Sequence, residues 1–245
     1  MPEPAPVLAL DTGSPTVSVA LAVRGEGGGS GPRVRERAVE IGRSSQRLLG
    51  MIDELLAEAG LRPAELAGLV ALAGPGSFTG LRIGLATVLG LHQATGVRAV
   101  AVPTLEVLAL AGSAGRDAGG GPARCVVAAV DVLRGEWAVR EYRRSGAAGT
   151  GGDLVAAGGA ERLPAGELAD RLAHRAPVRA VGFGIESLAP ASGRLPAVEL
   201  VEPPPLAAVA ARRAAAGPWH AWDAGTLTAP IYFRPPAVTL PRPRR

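Results

Sequence analysis

The stretch GLVALAGPGSFTGLRIGLATVLGLHQAT, residues 68–95, decides the fold that the sequence predicts. Its first six residues form a short apolar run, which is typical of a buried strand, and residues 81–95 have the composition of a helix that is apolar nearly all round. Between them lies a loop, residues 74–80, whose three glycines allow a tight turn and a close approach to a partner. Helices that alternate with buried strands in this way indicate an α/β fold.

The loop of residues 74–80 has two interpretations. Ser77 or Thr79 can cap the helix that follows, and the free N–H groups at such a helix start suit an anion or a phosphate. An ordinary tight turn from strand to helix is the other interpretation. The loop is not a Walker A motif, because the sequence contains no lysine, and Ser77 lacks the G-x-S-x-G spacing of a nucleophile elbow. The phosphate-facing candidates in this loop are Gly74, Gly76, Ser77, Thr79 and Gly80.

Outward from this stretch, the hydrophobic pattern predicts the order βββαβαβα for the first half of the chain. The predicted strands are residues 7–10, 16–23, 33–41, 68–73 and 98–102, and the predicted helices are residues 44–59, 81–95 and 104–111. A Gly/Ser-rich stretch, residues 112–122, then separates this half from a reduced echo of it. In the echo we expect strands at residues 124–130, 137–143, 178–181 and 198–201, and helices at residues 165–175 and 206–216.

Each half opens with two strands that carry an aspartate at the bend between them, Asp11 in the first and Asp131 in the second. Two lobes of this kind follow the plan of the actin-like ATPases. We therefore predict an α/β fold of the actin-like (ASKHA, duplicated RNase H-like) class. Residues 1–111 are expected to form the first lobe, with partner-binding helices, and residues 112–245 the second, reduced lobe and a basic, proline-rich tail.

The first bend, Asp11-Thr12-Gly13-Ser14, has three interpretations. Aspartic proteases carry this tetrapeptide at their active site, but they need a second matching loop or a homodimer to supply the other carboxylate. The tetrapeptide also suits the phosphate-facing hairpin of an actin-like lobe, and it can be a simple β-turn. Asp11, Thr12 and Gly13 join the phosphate-facing candidates on the second of these interpretations.

Two helices of the first lobe carry more apolar surface than one sheet can cover. Residues 44–59 have a wide apolar stripe, and residues 81–95 have few polar side chains on any face. Either the second lobe or another chain must cover the remainder. The residues predicted to form a partner interface are Leu48, Leu49, Ile52, Leu55, Leu56, Leu81, Leu85, Val88 and Leu89.

Composition excludes several classes of site. All 26 cationic side chains are arginine, so neither Schiff-base chemistry nor a P-loop lysine is present. The three histidines are isolated, so we expect no metal and no cofactor. A single cysteine excludes an internal disulfide. The amino-terminal apolar run is too short for a signal peptide or a spanning helix, so a cytoplasmic protein without membrane contact is expected.

Several segments resemble the TsaB (YeaZ) family. They are SQRLL at residues 45–49, IDELLAEAGL at 52–61, GPGSFTGLRIG at 74–84, VPTLEVLA at 102–109, DVLRGE at 131–136 and PIYFRP at 230–235. The resemblance covers roughly residues 1–111, 124–143 and 228–236. The stretch GPGSFTGLRIG is the most specific of these motifs.

The resemblance implies an actin-like fold and a non-catalytic scaffold subunit, although the family once carried glycoprotease labels. It implies that the chain pairs with TsaD through the helices of the first lobe and that the ATPase TsaE docks on this pair. Together they would transfer threonylcarbamoyl from its adenylate to N6 of the tRNA adenosine that follows the anticodon, with metal and nucleotide held by TsaD. Without TsaD, a homodimer through the same helices is possible.

The alternative from the enzyme class is an autonomous actin-superfamily nucleotide hydrolase or phosphotransferase. Such an enzyme grips phosphates with an aspartate–glycine loop from each lobe. The second loop here reads Asp131-Val132-Leu133, which lacks the glycine. The sequence therefore favours the scaffold over the enzyme.

Overall fold

The first sheet of the computed structural model contains five strands and is built as predicted. They are β1 (Val7–Asp11), β2 (Thr16–Val23), β3 (Arg33–Glu40), β4 (Gly68–Leu72) and β5 (Ala99–Val102), in the order β3-β2-β1-β4-β5. β1, β2 and β3 pair antiparallel, whereas β4 pairs parallel with both β1 and β5. β1 and β4 are buried along their whole length, which is why they read as continuous apolar runs.

The second sheet repeats this arrangement. Its strands are β6 (Cys125–Asp131), β7 (Glu136–Arg144), β8 (Leu154–Ala156), β9 (Glu161–Pro164), β10 (Val178–Val181) and β11 (Val198–Val201). The order is β11-β10-β6-β7-β8, with β9 also paired to β7, and β6 lies antiparallel to β7 but parallel to β10. The central strand of each sheet thus pairs antiparallel with its hairpin partner and parallel with a later strand. This duplication confirms the actin-like α/β fold.

In the part of the chain that the structure describes, the α-helices are α1 (Ser44–Ala59), α2 (Phe78–Thr95), α3 (Thr104–Ser113), α4 (Ala165–His174) and α5 (Leu206–Ala215). α2 begins three residues earlier than predicted because the Ser77 hydroxyl caps it, accepting a hydrogen bond from Gly80 N at 3.3 Å. Gly96, with φ at +72°, ends the helix in the left-handed conformation. The short strands β8 and β9 were not predicted.

The helices and sheets form layers. α1 and α2 pack on the outer face of the first sheet, α3 and α5 fill the space between the two sheets, and α4 packs on the outer face of the second. α5 follows the second sheet in the chain but docks on the first, where Ala207 N donates to Ser18 Oγ at 3.1 Å and Ala208 N donates to Glu36 Oε1 at 3.1 Å. These two side chains satisfy amides that a helix N-terminus leaves free.

The structure describes residues 6–23, 25, 31–40, 44–114, 124–145, 153–175, 178–189, 198–217 and 219–233. Most of the predicted Gly/Ser-rich boundary and the whole basic, proline-rich tail lie outside these residues, and the division at residue 111 stays a prediction. None of the helices in the described part of the chain combines the length and the apolar character needed to span a membrane.

Candidate functional site

A cleft of about 1030 Å³ opens between the hairpin turns of the two lobes. One wall contains the β1–β2 turn, the loop of residues 74–80 and the segment Ile231–Phe233. The other contains the β6–β7 turn, Arg162 and Phe183. Of the predicted phosphate-facing residues, Gly13, Gly76, Ser77 and Thr79 line this cleft, whereas Asp11, Thr12, Gly74 and Gly80 are not part of its lining.

Two hydrogen bonds join the β1–β2 turn to the loop of residues 74–80. Ser77 N donates to the carbonyl oxygen of Gly13 at 2.8 Å, and Thr12 Oγ1 donates to the carbonyl oxygen of Gly80 at 2.7 Å. A Cβ atom at Gly76 would lie 2.6 Å from the carbonyl oxygen of Gly13, and one at Gly80 would overlap the carbonyl oxygen of Thr12. The close approach for which these glycines are needed is therefore to the chain's own first turn.

Asp11 lies beneath this turn and is fully buried. Its Oδ1 atom accepts hydrogen bonds from Gly13 N at 3.0 Å and Ser14 N at 3.2 Å, and its Oδ2 atom has no hydrogen-bond partner among the described residues. Burial raises the pKa of Asp11 to about 6, although the hydrogen bonds from Ser14 and Gly13 act in the opposite direction. Asp11 thus stabilises the turn through its hydrogen bonds to the Gly13 and Ser14 amides, and it does not line the cleft.

The second-lobe turn has a different backbone. Leu133, Arg134 and Gly135 have φ values of +72°, +59° and +74°, so two residues that carry side chains adopt the left-handed conformation. That conformation costs about 1–2 kcal/mol per residue for such residues. Asp131 Oδ1 accepts a hydrogen bond from Leu133 N at 2.6 Å, and the Leu133 side chain is 69% exposed at the rim of the cleft.

Aromatic side chains converge on the cleft. The chain has only three phenylalanines, and Phe78, Phe183 and Phe233 all line it together with Tyr232. The Phe78 and Tyr232 ring centroids lie 4.8 Å apart, and the Arg82 guanidinium lies 3.9 Å above the Phe78 ring and donates from Nε to Tyr232 Oη at 3.3 Å. The sequence analysis did not predict this aromatic cluster. The one feature of the sequence that could have indicated it is that Phe78 lies in the loop of residues 74–80 and that Tyr232 and Phe233 lie in the motif PIYFRP.

The interface prediction is corrected for most of its residues. Seven of the nine side chains lie in the core of the chain itself, at 0–3% exposure, because α1 and α2 turn these stripes toward the sheet. They are Leu48, Ile52, Leu55, Leu56, Leu81, Leu85 and Val88. Leu49 is 62% exposed and Leu89 is half-buried, so these two remain accessible to a partner.

The outward faces of α1 and α2 carry small and apolar residues among charged ones, and Asp53, for example, is exposed between Leu49 and Ala57. α2 exposes Ala86, Gly90 and Ala94 at intervals of four residues, and α1 exposes Leu49, Gly50 and Ala57. A Cβ atom at Gly50 or Gly90 would meet nothing within 4 Å. We call these six residues the outer helical face. Gly84, in contrast, is buried against Thr12, so it does not belong to this surface.

The histidines make local contacts. His92 Nδ1 lies 2.8 Å from the carbonyl oxygen of Val97, His174 Nδ1 lies 2.7 Å from that of Asp170, and His220 Nε2 lies 3.2 Å from Glu106 Oε1. Within the described ranges, no three His, Cys, Asp or Glu side chains come together in a group that could hold a metal ion.

Comparison with known proteins assigns the family. The model of the family described as TsaD, tRNA N6-adenosine threonylcarbamoyltransferase, matches residues 27–184, which is more than half of the chain. The chain belongs to this family. The matched residues begin after the first hairpin, so they do not include the turn that carries Asp11.

Named relatives place the chain beside TsaB, also called YeaZ, as the sequence motifs implied. It is 36% identical over 143 residues to the tRNA threonylcarbamoyladenosine biosynthesis protein TsaB of Haemophilus influenzae, across 57% of this chain and 56% of that protein. The identity to TsaB of Escherichia coli is 36% over 100 residues, across 41% of each chain. These matches span about half the length of the curated relatives or less.

The solved structure of YeaZ from Pseudomonas aeruginosa is similar over a longer range. It superposes with a TM-score of 0.63 at 28% sequence identity, and the alignment covers 86% of this chain and 91% of that one. The likeness to TsaB/YeaZ thus extends across both lobes, including the parts of the second lobe where the sequence motifs are sparse.

Proposed function

We propose that this chain is a non-catalytic scaffold subunit in the threonylcarbamoylation of tRNA. In this role it pairs with TsaD, the pair receives TsaE, and the complex transfers threonylcarbamoyl to N6 of the adenosine that follows the anticodon. The family assignment supports the pathway, as does the role in tRNA threonylcarbamoyladenosine biosynthesis for which the TsaB relatives are named. The cytoplasm, where tRNA is modified, is the proposed site of action.

The outer helical face supports the proposal that the chain pairs with TsaD. A stripe of Ala86, Gly90 and Ala94 lets the backbone of another helix approach α2 closely, since interhelical distance depends on the side chains at the contact. On α1, Leu49 offers a large apolar side chain that the chain leaves 62% exposed. Two helices of TsaD laid against α1 and α2 would form a four-helix contact, and a second copy of this chain could take their place when TsaD is absent.

The contacts of the loop of residues 74–80 support the proposal that the chain is non-catalytic. The amide of Ser77 is bonded to Gly13, and the amide of Gly80 faces the Ser77 hydroxyl, so two donors at the α2 N-terminus already have partners within the chain. On the opposite wall, Asp131 is followed by Val132 and Leu133 rather than by a glycine. These features weigh against the alternative, an autonomous nucleotide hydrolase or phosphotransferase.

Reconstitution tests the role directly. TsaD and TsaE with threonylcarbamoyl-adenylate and tRNA are expected to modify the tRNA only when this chain is added, and the Asp11→Asn variant of the chain is expected to support full activity. If TsaD and TsaE alone reach the same yield, the chain is not the scaffold. If Asp11→Asn remains folded but abolishes the transfer, the chain is not a purely non-catalytic subunit.

A further inference from the structure

Asp53 lies in the middle of the outward side of α1. Leu49, Asp53 and Ala57 are all exposed and follow one another at intervals of four residues, so their side chains form one row along the helix. Leu49 and Ala57 belong to the outer helical face. A partner helix that packs on both of them must therefore also cover the carboxylate between them.

This row lies on the flank of α1 that faces α2. α1 lies over β2 and β3, whereas α2 lies over β1, β4 and β5 of the same sheet. On the flank toward β3, Arg37 of that strand makes ion pairs with Glu54, at 3.4 Å, and with Glu58. Leu49 and Asp53 are rotated about 180° and about 140° around the helix from Glu58, so they face away from β3.

The Asp53 carboxylate has no ion pair or hydrogen bond within the described part of the chain. α1 and α2 each contain one arginine, and both are directed elsewhere. Arg47 lies about 20° around the helix from Glu58, on the flank toward β3, and the Arg82 guanidinium is held over the Phe78 ring. An apolar helix that covered Asp53 would thus remove its water and supply no compensating charge.

We propose that Asp53 determines which partner the outer helical face accepts, and that the helix of TsaD that covers this row carries a basic side chain opposite the carboxylate. This inference rests on the proposed pairing with TsaD. Arginine fits best, because its planar guanidinium donates two parallel hydrogen bonds to a carboxylate and is more weakly hydrated than an ammonium group. The charge pair would also fix the register of the partner helix along α1.

The same carboxylate disfavours a second copy of this chain. In a twofold-symmetric contact through the outer helical face, each copy brings its own Asp53 to the other. Two carboxylates would then be buried without a counter-charge, whereas the contact with TsaD buries one carboxylate with its cation. Because specificity is a difference between two affinities, Asp53 favours TsaD both by attracting its basic side chain and by weakening the homodimer.

The affinity of full-length chains for TsaD, measured by isothermal titration calorimetry, tests the role of the charge. Asp53→Asn removes the charge and keeps the shape, and it is expected to weaken binding by about tenfold or more, whereas Asp53→Arg is expected to weaken it by about a hundredfold or more. Asp53→Glu keeps the charge and is expected to bind like the wild type. The matched control is Asp170→Asn, at an exposed position of α4 in the second lobe, which is also expected to bind like the wild type.

Self-association without TsaD tests the effect on the homodimer. In sedimentation equilibrium, Asp53→Asn is expected to associate with itself more strongly than the wild type, although the same substitution weakens binding to TsaD. A general loss of structure would weaken both contacts. An Asp53→Asn chain that associates with itself no more than the wild type would overturn the proposed selection against a second copy.

Leu49→Glu separates this inference from the pairing on which it rests. Asp53→Asn and Asp53→Arg chains that are folded by circular dichroism and bind TsaD with the wild-type affinity, while Leu49→Glu releases TsaD, would overturn the inference and leave the pairing intact. Equal losses for Asp53→Glu and Asp53→Asn would overturn it as well, because TsaD would then not recognise the charge. If Leu49→Glu also retains TsaD, the outer helical face is not the contact, and the inference and the proposed pairing both fail.

Discussion

Thr12 Oγ1 donates a hydrogen bond of 2.7 Å to the carbonyl oxygen of Gly80, across the junction between the first hairpin and helix α2. The helix can lie this close because Gly80 and Gly84 lack side chains: a Cβ atom at Gly84 would overlap Thr12 Oγ1, and one at Gly80 would overlap the Thr12 carbonyl oxygen. The glycines of the most specific family motif thus serve a contact within the chain.

This contact predicts opposite effects for two glycines of the same helix. Gly84→Ala is expected to lower the free energy of unfolding by about 1–3 kcal/mol, because the added methyl group meets Thr12 in a packed core. Gly90→Ala, at an exposed position with open space around it, is expected to raise the free energy by up to about 1 kcal/mol. Urea denaturation measures both, and a Gly84→Ala variant as stable as Gly90→Ala would contradict the contact.

Asp11 predicts a pH dependence of stability. Its pKa is about 6 in the folded chain, above the ordinary value of 3.8 for an aspartate, so between these values the folded state binds more protons than the unfolded state. The contribution of Asp11 to the free energy of unfolding therefore increases as the pH falls from 7 to 4, by about 2 kcal/mol.

The Asp11→Asn variant isolates this effect, because asparagine keeps an oxygen for the Gly13 and Ser14 amides but does not titrate. Relative to the variant, the wild type is expected to gain stability as the pH falls from 7 to 4 in denaturant titrations. A difference between the two proteins that stays constant over this range would show that Asp11 titrates normally.

The purified chain is expected to show neither appreciable ATP hydrolysis nor stoichiometric metal binding. It has no lysine to hold phosphates, and two of the amides at the α2 N-terminus already have partners in the chain. Phosphate release and metal analysis of the isolated chain measure this. Turnover of several events per minute that Asp11→Ala abolishes would favour the enzyme alternative.

Most of the fold could be predicted because its elements carry strong local patterns. The 16-residue helix α1 was predicted with the bounds that the structure gives, and the two hairpins with aspartates at their bends were recognised as an internal repeat. The strands β8 and β9 were missed because they have only three and four residues, and Glu161 and Arg162 in β9 read as a polar loop.

The packing of the elements against one another, and with it the site, was less predictable because the contacts join residues that are far apart in the sequence. The docking of α5 on the first sheet depends on Ser18 and Glu36, which are 189 and 172 residues from the amides that they accept. No local sequence pattern predicts a hydrogen bond between residues so far apart. In the same way, the apolar pattern of α2 indicated that most of its faces are covered, but it did not identify the stripe that faces the sheet. Leu85 was therefore predicted to contact a partner, whereas it lies in the core of the chain at 3% exposure.

The central claim, pairing with TsaD through the outer helical face, is tested by the mass of the complex after co-purification with TsaD. Leu49→Glu and Ala86→Glu each place a carboxylate at an exposed position, so both variants are expected to fold normally by circular dichroism. In the proposed contact the carboxylate would be buried without a partner. Val155→Glu, at a 55% exposed position on the second lobe, is the matched control.

Multi-angle light scattering on the co-purified material gives the decisive result. The Leu49→Glu and Ala86→Glu chains are expected to elute at the mass of the chain alone, without TsaD, whereas Val155→Glu is expected to retain the wild-type mass of the heterodimer. Folded Leu49→Glu and Ala86→Glu chains that both keep TsaD at the wild-type stoichiometry would contradict it.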